Sequence, residues 1–236
     1  MTWKQVFTSS IGRKLVMSLT GIFLILFLII HAGLNACIWA NDGGAMFNAG
    51  AHFMGSNWVP RILEIGLFVG FILHIVQGYM LSASNMSKRS KGYAVSYGNR
   101  GSKWYSRSMG LLGTLILMFL VLHLYHFWVP ARFGGMANVH VLETATVGSY
   151  ANQEVHSLYN EMHIVFQNLW VVIIYVLGVF SLFWHLLHGF QSAFQTFGIN
   201  HKRYTPIIKG LGVAYSAIIC ILFAMMPISI YMNWIN

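Results

Sequence analysis

Four histidines lie inside long apolar runs of the sequence, namely His31, His74, His123 and His185. An ionisable side chain within hydrocarbon costs free energy, so each of them is a candidate for function. Neutral imidazole is a common axial ligand of haem iron, and two imidazoles fill both axial positions and leave no site for oxygen or substrate. The four histidines together therefore predict two haems that exchange single electrons. A single buried histidine would more often be satisfied by a neighbouring hydroxyl or carbonyl group.

Repeated spacings indicate how the four histidines pair. In the first and third apolar runs the histidine follows a glycine by ten residues, and in the second and fourth runs a glycine follows the histidine by four. Counted along helices from the inner ends of the runs, His31 and His123 lie roughly 20–25 Å above that end, and His74 and His185 lie nearer to it, roughly 8–14 Å above it. Both observations pair His31 with His123 and His74 with His185, at two depths of a helical bundle.

Two further histidines, His126 and His188, are alternative ligands. Each lies three residues from a predicted ligand, on a nearby face of the helix. Each could replace that ligand or hydrogen-bond a haem propionate or a quinone. We favour His123 and His185 because only these two keep the repeated spacings.

Two glycines are candidates for contact with a haem. Gly21 and Gly113 lie about 15 Å below the outer histidine pair, near the depth of the inner haem. A missing side chain at that depth would let a flat macrocycle lie against the backbone. Close packing of helices through small residues is the alternative role.

The sequence has five apolar runs, and the first four of them carry these histidines. The runs cover about 15–37, 62–83, 109–129, 165–190 and 207–234. Only 8% of the residues are charged and 57% are apolar, whereas soluble domains carry roughly 25% charged residues. A hydrocarbon core about 30 Å thick takes about 20 helical residues to cross. The sequence therefore predicts an all-α integral membrane bundle of five transmembrane helices, in which residues 1–236 form one domain.

Basic residues are concentrated on one side of the predicted membrane. The N-terminal segment and the second and fourth loops hold 12 of the 14 Lys and Arg residues, whereas Arg61 and Arg132 share the other side with all five acidic residues. By the positive-inside rule the N-terminus is cytoplasmic and the C-terminus lies outside. The net charge of +9 is mostly this topology signal, so we expect no nucleic-acid binding, although the basic face could dock an acidic soluble partner.

Cysteine usage limits the type of haem. Cys37 and Cys220 are the only two cysteines, and the sequence has no Cys-x-x-Cys-His motif. A haem attached through such a motif is therefore not expected, and the sequence predicts b-type haems held by coordination alone.

Several phrases of the sequence together resemble a known family, the dihaem cytochrome b membrane anchor of succinate:quinone and quinol:fumarate oxidoreductases. Each phrase is weak alone, but the set is specific and spans nearly the whole chain. The phrases are Ser18-Leu-Thr-Gly21, Leu28-Ile-Ile-His31, Phe47-Asn48-Ala-Gly-Ala-His52-Phe53, Leu63-Glu64-Ile65, His74-x-x-x-Gly78, Leu122-His123-Leu124-Tyr125 and Trp184-His185-x-x-x-Gly189.

The resemblance implies roles for individual residues. In that family the axial histidines pair between the first and third helices and between the second and fourth. His31 and His123 would then bind the haem distal to the soluble subunits, and His74 and His185 the proximal one. Ser18 matches a family position near the propionates of the inner haem.

The resemblance also implies a reaction and partners. A flavoprotein subunit with FAD and an iron–sulfur subunit would bind on the cytoplasmic side of a bacterial inner membrane. Succinate would be oxidised at the flavin, and electrons would cross the iron–sulfur clusters and both haems to a quinone, for which menaquinone is favoured. The same chain of cofactors would also serve fumarate reduction. An acidic outer-loop residue of some relatives has no clear counterpart before His52, which leaves Glu64, Arg61 and His163 as candidates for the quinone site.

Two other functions stay open at this point. One is the haem b subunit of a membrane hydrogenase or formate dehydrogenase, but such bundles tend to have four helices, and the fifth, histidine-free run counts against it. The other is a small membrane transporter that relays protons through buried histidines and binds no haem.

Overall fold

The structure is a computed structural model of the chain that describes residues 2, 7, 9–87, 103–136, 138–148 and 153–235. Every residue predicted to bind a cofactor or a quinone lies within this part. Five of the basic residues that were counted on the predicted cytoplasmic side lie outside it, namely Lys4, Lys88, Arg89, Lys91 and Arg100.

The described part of the chain is mostly helical. In chain order the helices are α1 (Ser10–Ala36), α2 (Ala45–Ser56), α3 (Trp58–Ser87), α4 (Trp104–Arg107), α5 (Met109–His123), α6 (Val129–Phe133), α7 (Leu158–Phe166), α8 (Leu169–Thr196) and α9 (Thr205–Tyr231). Two strands, β1 (Thr144–Val147) and β2 (Gln153–His156), form an antiparallel pair.

Among the described residues, five helical segments are long and apolar enough to cross a membrane, which confirms the predicted five spans. They are α1 with the 3₁₀ turn Cys37–Ala40 that follows it, α3, the continuous segment from α5 to α6, α8 and α9. A helix satisfies all of its backbone hydrogen bonds within itself, which is what a segment in hydrocarbon requires. The chain is therefore a multi-pass membrane protein.

All five spans differ from their predicted bounds by a few residues at one end or both, and the structure shows a cause at two of these ends. The fourth span begins at Leu169 rather than near Val165, because the Asn168 side chain accepts the backbone N–H of Trp170 at 3.0 Å and caps the helix. The fifth span ends at Tyr231. Asn233 then has a φ of 53°, a left-handed conformation that commonly terminates helices.

Large apolar side chains are exposed along the long helices. Examples are Leu26 at 57%, Ile65 at 68%, Met118 at 68%, Leu177 at 59% and Ile221 at 62% exposed. Soluble proteins rarely show large continuous apolar surfaces. These side chains therefore suit contact with lipid.

A buried polar network joins the short helices α2 and α7, neither of which was predicted. Asn48 is only 1% exposed, and its amide donates to the Ser157 hydroxyl at 3.1 Å and accepts the Tyr159 backbone N–H at 3.1 Å. Ser157 also caps α7 by accepting the N–H of Asn160 at 3.2 Å. This network holds α7 in place and, with it, His163.

The third span contains a π-helical segment, Leu124–Trp128, in which the Val129 N–H donates to the Leu124 carbonyl. Pro130 has no N–H to donate to the His126 carbonyl, and its ring would clash with that carbonyl in a regular α-helix. The wider turn avoids this clash. It also changes the direction in which His126 points relative to a regular helix.

The chain forms two compact units. The first comprises Met1–Phe27, Ile65–Leu115 and Ser181–Ile218, and the second comprises Leu28–Glu64, Ile116–Phe180 and Ile219–Asn236. Each of the five long helical segments contributes residues to both units. The first unit contains His74 and His185, and the second contains His31 and His123.

Candidate functional site

In the first unit, α3 and α8 bring His74 and His185 together. The centroids of the two imidazole rings are 6.1 Å apart, and their planes are inclined at 64°. Nδ1 of His185 is buried and has no hydrogen-bond partner among the described residues. Both residues lie on uninterrupted apolar helices, which keep the rings in an apolar environment.

Thr20 on α1 orients the ring of His74. Its hydroxyl oxygen lies 2.8 Å from the Val16 carbonyl, 3.1 Å from the Met17 carbonyl and 3.1 Å from Nδ1 of His74. Carbonyl oxygens only accept, so the hydroxyl gives its one proton to a carbonyl and accepts the N–H of His74 Nδ1. The lone pair of His74 is then on Nε2, which is the form that binds a metal.

Gly21 and Gly113 lie beside the same pair of rings. A Cβ atom on Gly21 would be 3.7 Å from Cε1 of His74, and a Cβ atom on Gly113 would be 3.7 Å from Cε1 of His185. Cε1 lies between the two ring nitrogens, so each glycine leaves space beside the edge of the imidazole that carries Cε1. The repeat seen in the sequence therefore corresponds to two equivalent contacts in the structure.

In the second unit, α1 and α5 bring His31 and His123 together. Their ring centroids are 5.7 Å apart with the planes at 88°. Phe223 packs 5.6 Å from His31, and Phe119 packs 5.7 Å from His123, so aromatic rings hold both imidazoles in apolar surroundings. Asn35 donates its side-chain N–H to the His31 carbonyl at 2.8 Å and lies 3.4 Å from Nδ1 of that ring.

His126 packs against Tyr175. Its Nδ1 lies 2.9 Å from the Tyr175 hydroxyl, and the two rings stack with centroids 5.8 Å apart and planes at 14°. Tyr175 is only 5% exposed, and its ring also lies 6.1 Å from that of His123. His126 therefore has a hydrogen-bond partner of its own, while His123 is the residue that faces His31.

His188 and Ser18 belong to the first unit. His188 lines a pocket with Lys103 and Lys209, whereas His185 is the residue that faces His74. Ser18 is buried, and only 5% of its surface is exposed.

The donor set of each histidine pair fits a metal held mainly by a non-protein ring. No group of three or more His, Cys, Asp or Glu that could hold a metal ion occurs among the described residues, so each pair offers two protein ligands. Each pair would hold one metal through two imidazole nitrogens, and its two rings are near enough to reach a common ion, with centroids 5.7 and 6.1 Å apart. Iron porphyrin needs only such a pair from the protein.

Glu64, a candidate for the quinone site, is held in an ion-pair network. Arg132 donates Nη2 to Oε2 at 2.8 Å and Nε to Oε1 at 3.1 Å, and Trp128 donates its indole N–H to Oε1 at 2.6 Å. Arg61 lies 3.4 Å from Oε2 and is more exposed. The structure thus brings Glu64 and Arg61 together, and no hydrogen bond of Glu64 goes to His163.

His163, the third candidate, packs against Tyr159 with ring centroids 4.6 Å apart. Its Nε2 is buried and has no hydrogen-bond partner among the described residues. Burial lowers the pKa of His163, so the ring stays neutral where an exposed histidine begins to protonate. The nearby Glu161 carboxylate pairs with His140 at 3.1 Å instead.

Three of these residues were not identified as site residues from the sequence. Thr20 stands directly before Gly21 in a phrase that carried the family resemblance, and a hydroxyl at that position was an available signal. Arg132 could also have been identified, because a basic residue on the predicted acid-rich side of the membrane is expected to pair with an acidic one. Tyr175 gave no signal, since a tyrosine in an apolar helix is ordinary.

Comparisons of the chain with protein-family models, with curated proteins and with solved structures found no match.

Proposed function

We propose that this chain is the dihaem cytochrome b membrane anchor of a succinate:quinone or quinol:fumarate oxidoreductase, which passes electrons between an iron–sulfur subunit and a quinone. The observation that carries the proposal is the presence of two histidine pairs on apolar helices, with ring centroids 6.1 and 5.7 Å apart. The sequence phrases that resemble the anchor family point to this complex among those that use such pairs.

The protein's contribution to electron transfer is to fix the imidazoles. His74 and His185 would hold one haem b, and His31 and His123 the other. Haem iron between two imidazoles supplies reversible one-electron transfer. Thr20 favours the proposal for the first pair, because the hydrogen bond that it accepts leaves Nε2 of His74 free to act as a ligand.

We place the quinone site in the second unit, and His163 is the favoured residue of the three candidates. Reduction of a quinone takes up protons, so its site needs groups that hydrogen-bond the quinone oxygens. The polar atoms of Glu64 are already engaged by Arg132 and Trp128. Nε2 of His163 is buried without a partner among the described residues and so offers a hydrogen bond.

Charge supports the docking of soluble subunits on a cytoplasmic face. Among the described residues, the first unit contains seven basic residues and no acidic one, whereas the second contains two basic and five acidic residues. A basic surface attracts an acidic partner over long range. In the proposed complex the partners are the iron–sulfur subunit and the flavoprotein subunit with FAD, and the quinone is menaquinone in a bacterial inner membrane.

Spectroscopy of the purified chain tests the proposal. We expect about two b-type haems per chain by pyridine haemochrome assay and two low-spin signals of bis-imidazole iron by electron paramagnetic resonance. A colourless preparation would support the transporter instead.

Purification from native membranes identifies the complex. Association with a flavoprotein and succinate-dependent reduction of the haems support the proposed function. Association with a hydrogenase or formate dehydrogenase catalytic subunit would replace it.

A further inference from the structure

A polar pocket of about 270 Å³ lies in the first unit. Its polar lining includes Lys103, His188, Gln191 and Lys209. Gln191 lies five residues before the end of α8, and Lys209 lies four residues after the start of α9. The pocket is therefore close to the ends of two membrane-spanning helices. Its volume fits a small polar group, since pockets for drug-sized ligands measure about 300–1,000 Å³.

The two lysines of this pocket have no carboxylate to neutralise them within the first unit. All five acidic residues of the chain belong to the second unit, namely Asp42, Glu64, Glu143, Glu154 and Glu161. None of the ion pairs formed by the described residues includes Lys103 or Lys209. Two ammonium groups that face one pocket repel each other, so a bound anion would stabilise the site.

The remainder of the pocket is apolar and adjoins a surface suited to lipid. Leu187 and Val213 belong to its lining. On α9, Ile207, Leu211 and Val213 are 56%, 58% and 53% exposed, and in a membrane-spanning helix such side chains contact hydrocarbon. A ligand with a phosphate head and an acyl chain would meet both the polar and the apolar surface, whereas a free anion would use only the first.

We infer that this pocket binds the headgroup phosphate of an anionic phospholipid. Lys103 and Lys209 supply the positive charge, and the side chains of His188 and Gln191 donate hydrogen bonds. Basic pockets between transmembrane helices are suited to anionic headgroups. The inference does not depend on haem binding, because none of these four residues belongs to the two histidine pairs that are proposed to hold the haems.

Native mass spectrometry of the full chain in a non-ionic detergent tests the inference. Dioleoyl-phosphatidylglycerol and dioleoyl-phosphatidylcholine, which share their acyl chains, are the probes. We expect phosphatidylglycerol to bind at least about tenfold more tightly, and the double variant Lys103→Gln/Lys209→Gln to weaken its binding roughly 30-fold. Lys103→Arg/Lys209→Arg, which keeps both charges, should retain binding.

The control is Lys14→Gln/Lys202→Gln, which removes two exposed lysines of the same unit that do not line the pocket. We expect this variant to bind phosphatidylglycerol like the wild type. Equal binding of the two lipids, or an equal loss in the control, would overturn the inference. If the charge variant fails to fold, Gln191→Leu tests the pocket without a change of charge, and we expect roughly tenfold weaker binding of phosphatidylglycerol.

Two parallel measurements separate the lipid from other anions. Displacement of phosphatidylglycerol by millimolar inorganic phosphate would identify a free-phosphate site and reject the lipid. Haem content is measured in the same preparations. Loss of the inner haem with unchanged lipid binding in Lys103→Gln/Lys209→Gln would assign the lysines to a haem propionate and reject the inference, while the haem proposal itself would stand.

Discussion

The hydroxyl of Thr20 lies 3.1 Å from Nδ1 of His74, a residue 54 positions further along the chain. The hydroxyl proton is directed to the carbonyl oxygens of the preceding turn, so the imidazole is the donor in this contact. One side chain of α1 thus fixes the tautomer and the orientation of a ring on α3. Groups of this kind strongly influence how a histidine binds a metal.

Replacement of Thr20 by Val removes the hydroxyl and nearly keeps the shape of the side chain. We expect the affinity of the inner haem to fall roughly 10- to 100-fold, because the ring of His74 loses the partner that orients it. Haem titration of the apoprotein measures this loss, and the outer haem should be unaffected. Thr20→Ser keeps the hydroxyl and serves as the matched control. Wild-type affinity in Thr20→Val would show that the hydrogen bond is not needed for ligation.

Removal of single histidines should separate the two haems. We expect His31→Ala or His123→Ala to abolish the outer haem and leave the inner one, because each proposed haem would be held by both histidines of its pair. His74→Ala or His185→Ala should have the converse effect. The low-spin signals in electron paramagnetic resonance spectra report each haem separately. Retention of both haems in any of these variants would mean that the ligand is misassigned.

His126 and His188 provide the internal controls for that experiment. His126 hydrogen-bonds Tyr175, and His188 lines the pocket that contains the two lysines. We therefore expect His126→Ala and His188→Ala to keep about two haems per chain. Loss of the outer haem in His126→Ala, together with its retention in His123→Ala, would transfer the ligand role to His126.

Gly21 and Gly113 can be tested by adding volume beside the inner pair. Valine is better tolerated than glycine inside a helix, but its side chain would reach Cε1 of His74 or His185. We expect Gly21→Val and Gly113→Val to lower the content of inner haem and to leave the outer haem and the helical circular dichroism unchanged. Gly66→Val is the control, because a Cβ atom there meets nothing within 4 Å. Two fully occupied haems in both test variants would favour helix packing as the role of the glycines.

The five spans could be predicted from the sequence because hydrocarbon thickness dictates the length of an apolar helix. The two pairs of neighbouring histidines could also be predicted from the sequence, because the two histidines of each pair have the same spacing from a glycine. The start of α8 depended on one cap, Asn168, and the polar residues around it suggest several possible starts. The π-helical segment depends on Pro130, whose effect on the direction of His126 cannot be read from a regular 3.6-residue period.

The partners of polar side chains were the least predictable part of the site. Glu161 and His163 lie only two positions apart in the sequence, yet Glu161 pairs with His140. Arg132 reaches Glu64 across 68 positions of the chain. Such contacts depend on where loops and helices meet in three dimensions, and neither periodicity nor charge counts contain that information.

Glu64→Gln tests whether the contact with Arg132 is structural. The two side chains are 20% and 22% exposed, so loss of the carboxylate leaves a poorly solvated guanidinium without its partner. We expect the free energy of unfolding to fall by about 1–3 kcal/mol, measured by thermal denaturation in detergent. Arg61→Gln is the control, because Arg61 is 48% exposed and lies 3.4 Å from the carboxylate. We expect its free energy of unfolding to fall by less than about 0.5 kcal/mol. Equal losses in both variants would contradict a dominant role for Arg132.

His163 should make the stability of the protein depend on pH. Burial lowers the pKa of this residue, so below pH about 6.5 the unfolded chain binds a proton that the folded chain does not bind. Stability linked to His163 is therefore fully present above that pH and is lost as the pH falls. We expect the melting temperature of the wild type to drop more steeply between pH 7 and pH 5 than that of His163→Gln, with both normalised to pH 8, where the ring is neutral in either state. All other ionisable groups are the same in the two proteins, so their contributions cancel in the comparison. Parallel pH profiles would show that the ring is protonated in the folded protein without cost, and would also weaken the assignment of its Nε2 as a neutral partner for a quinone.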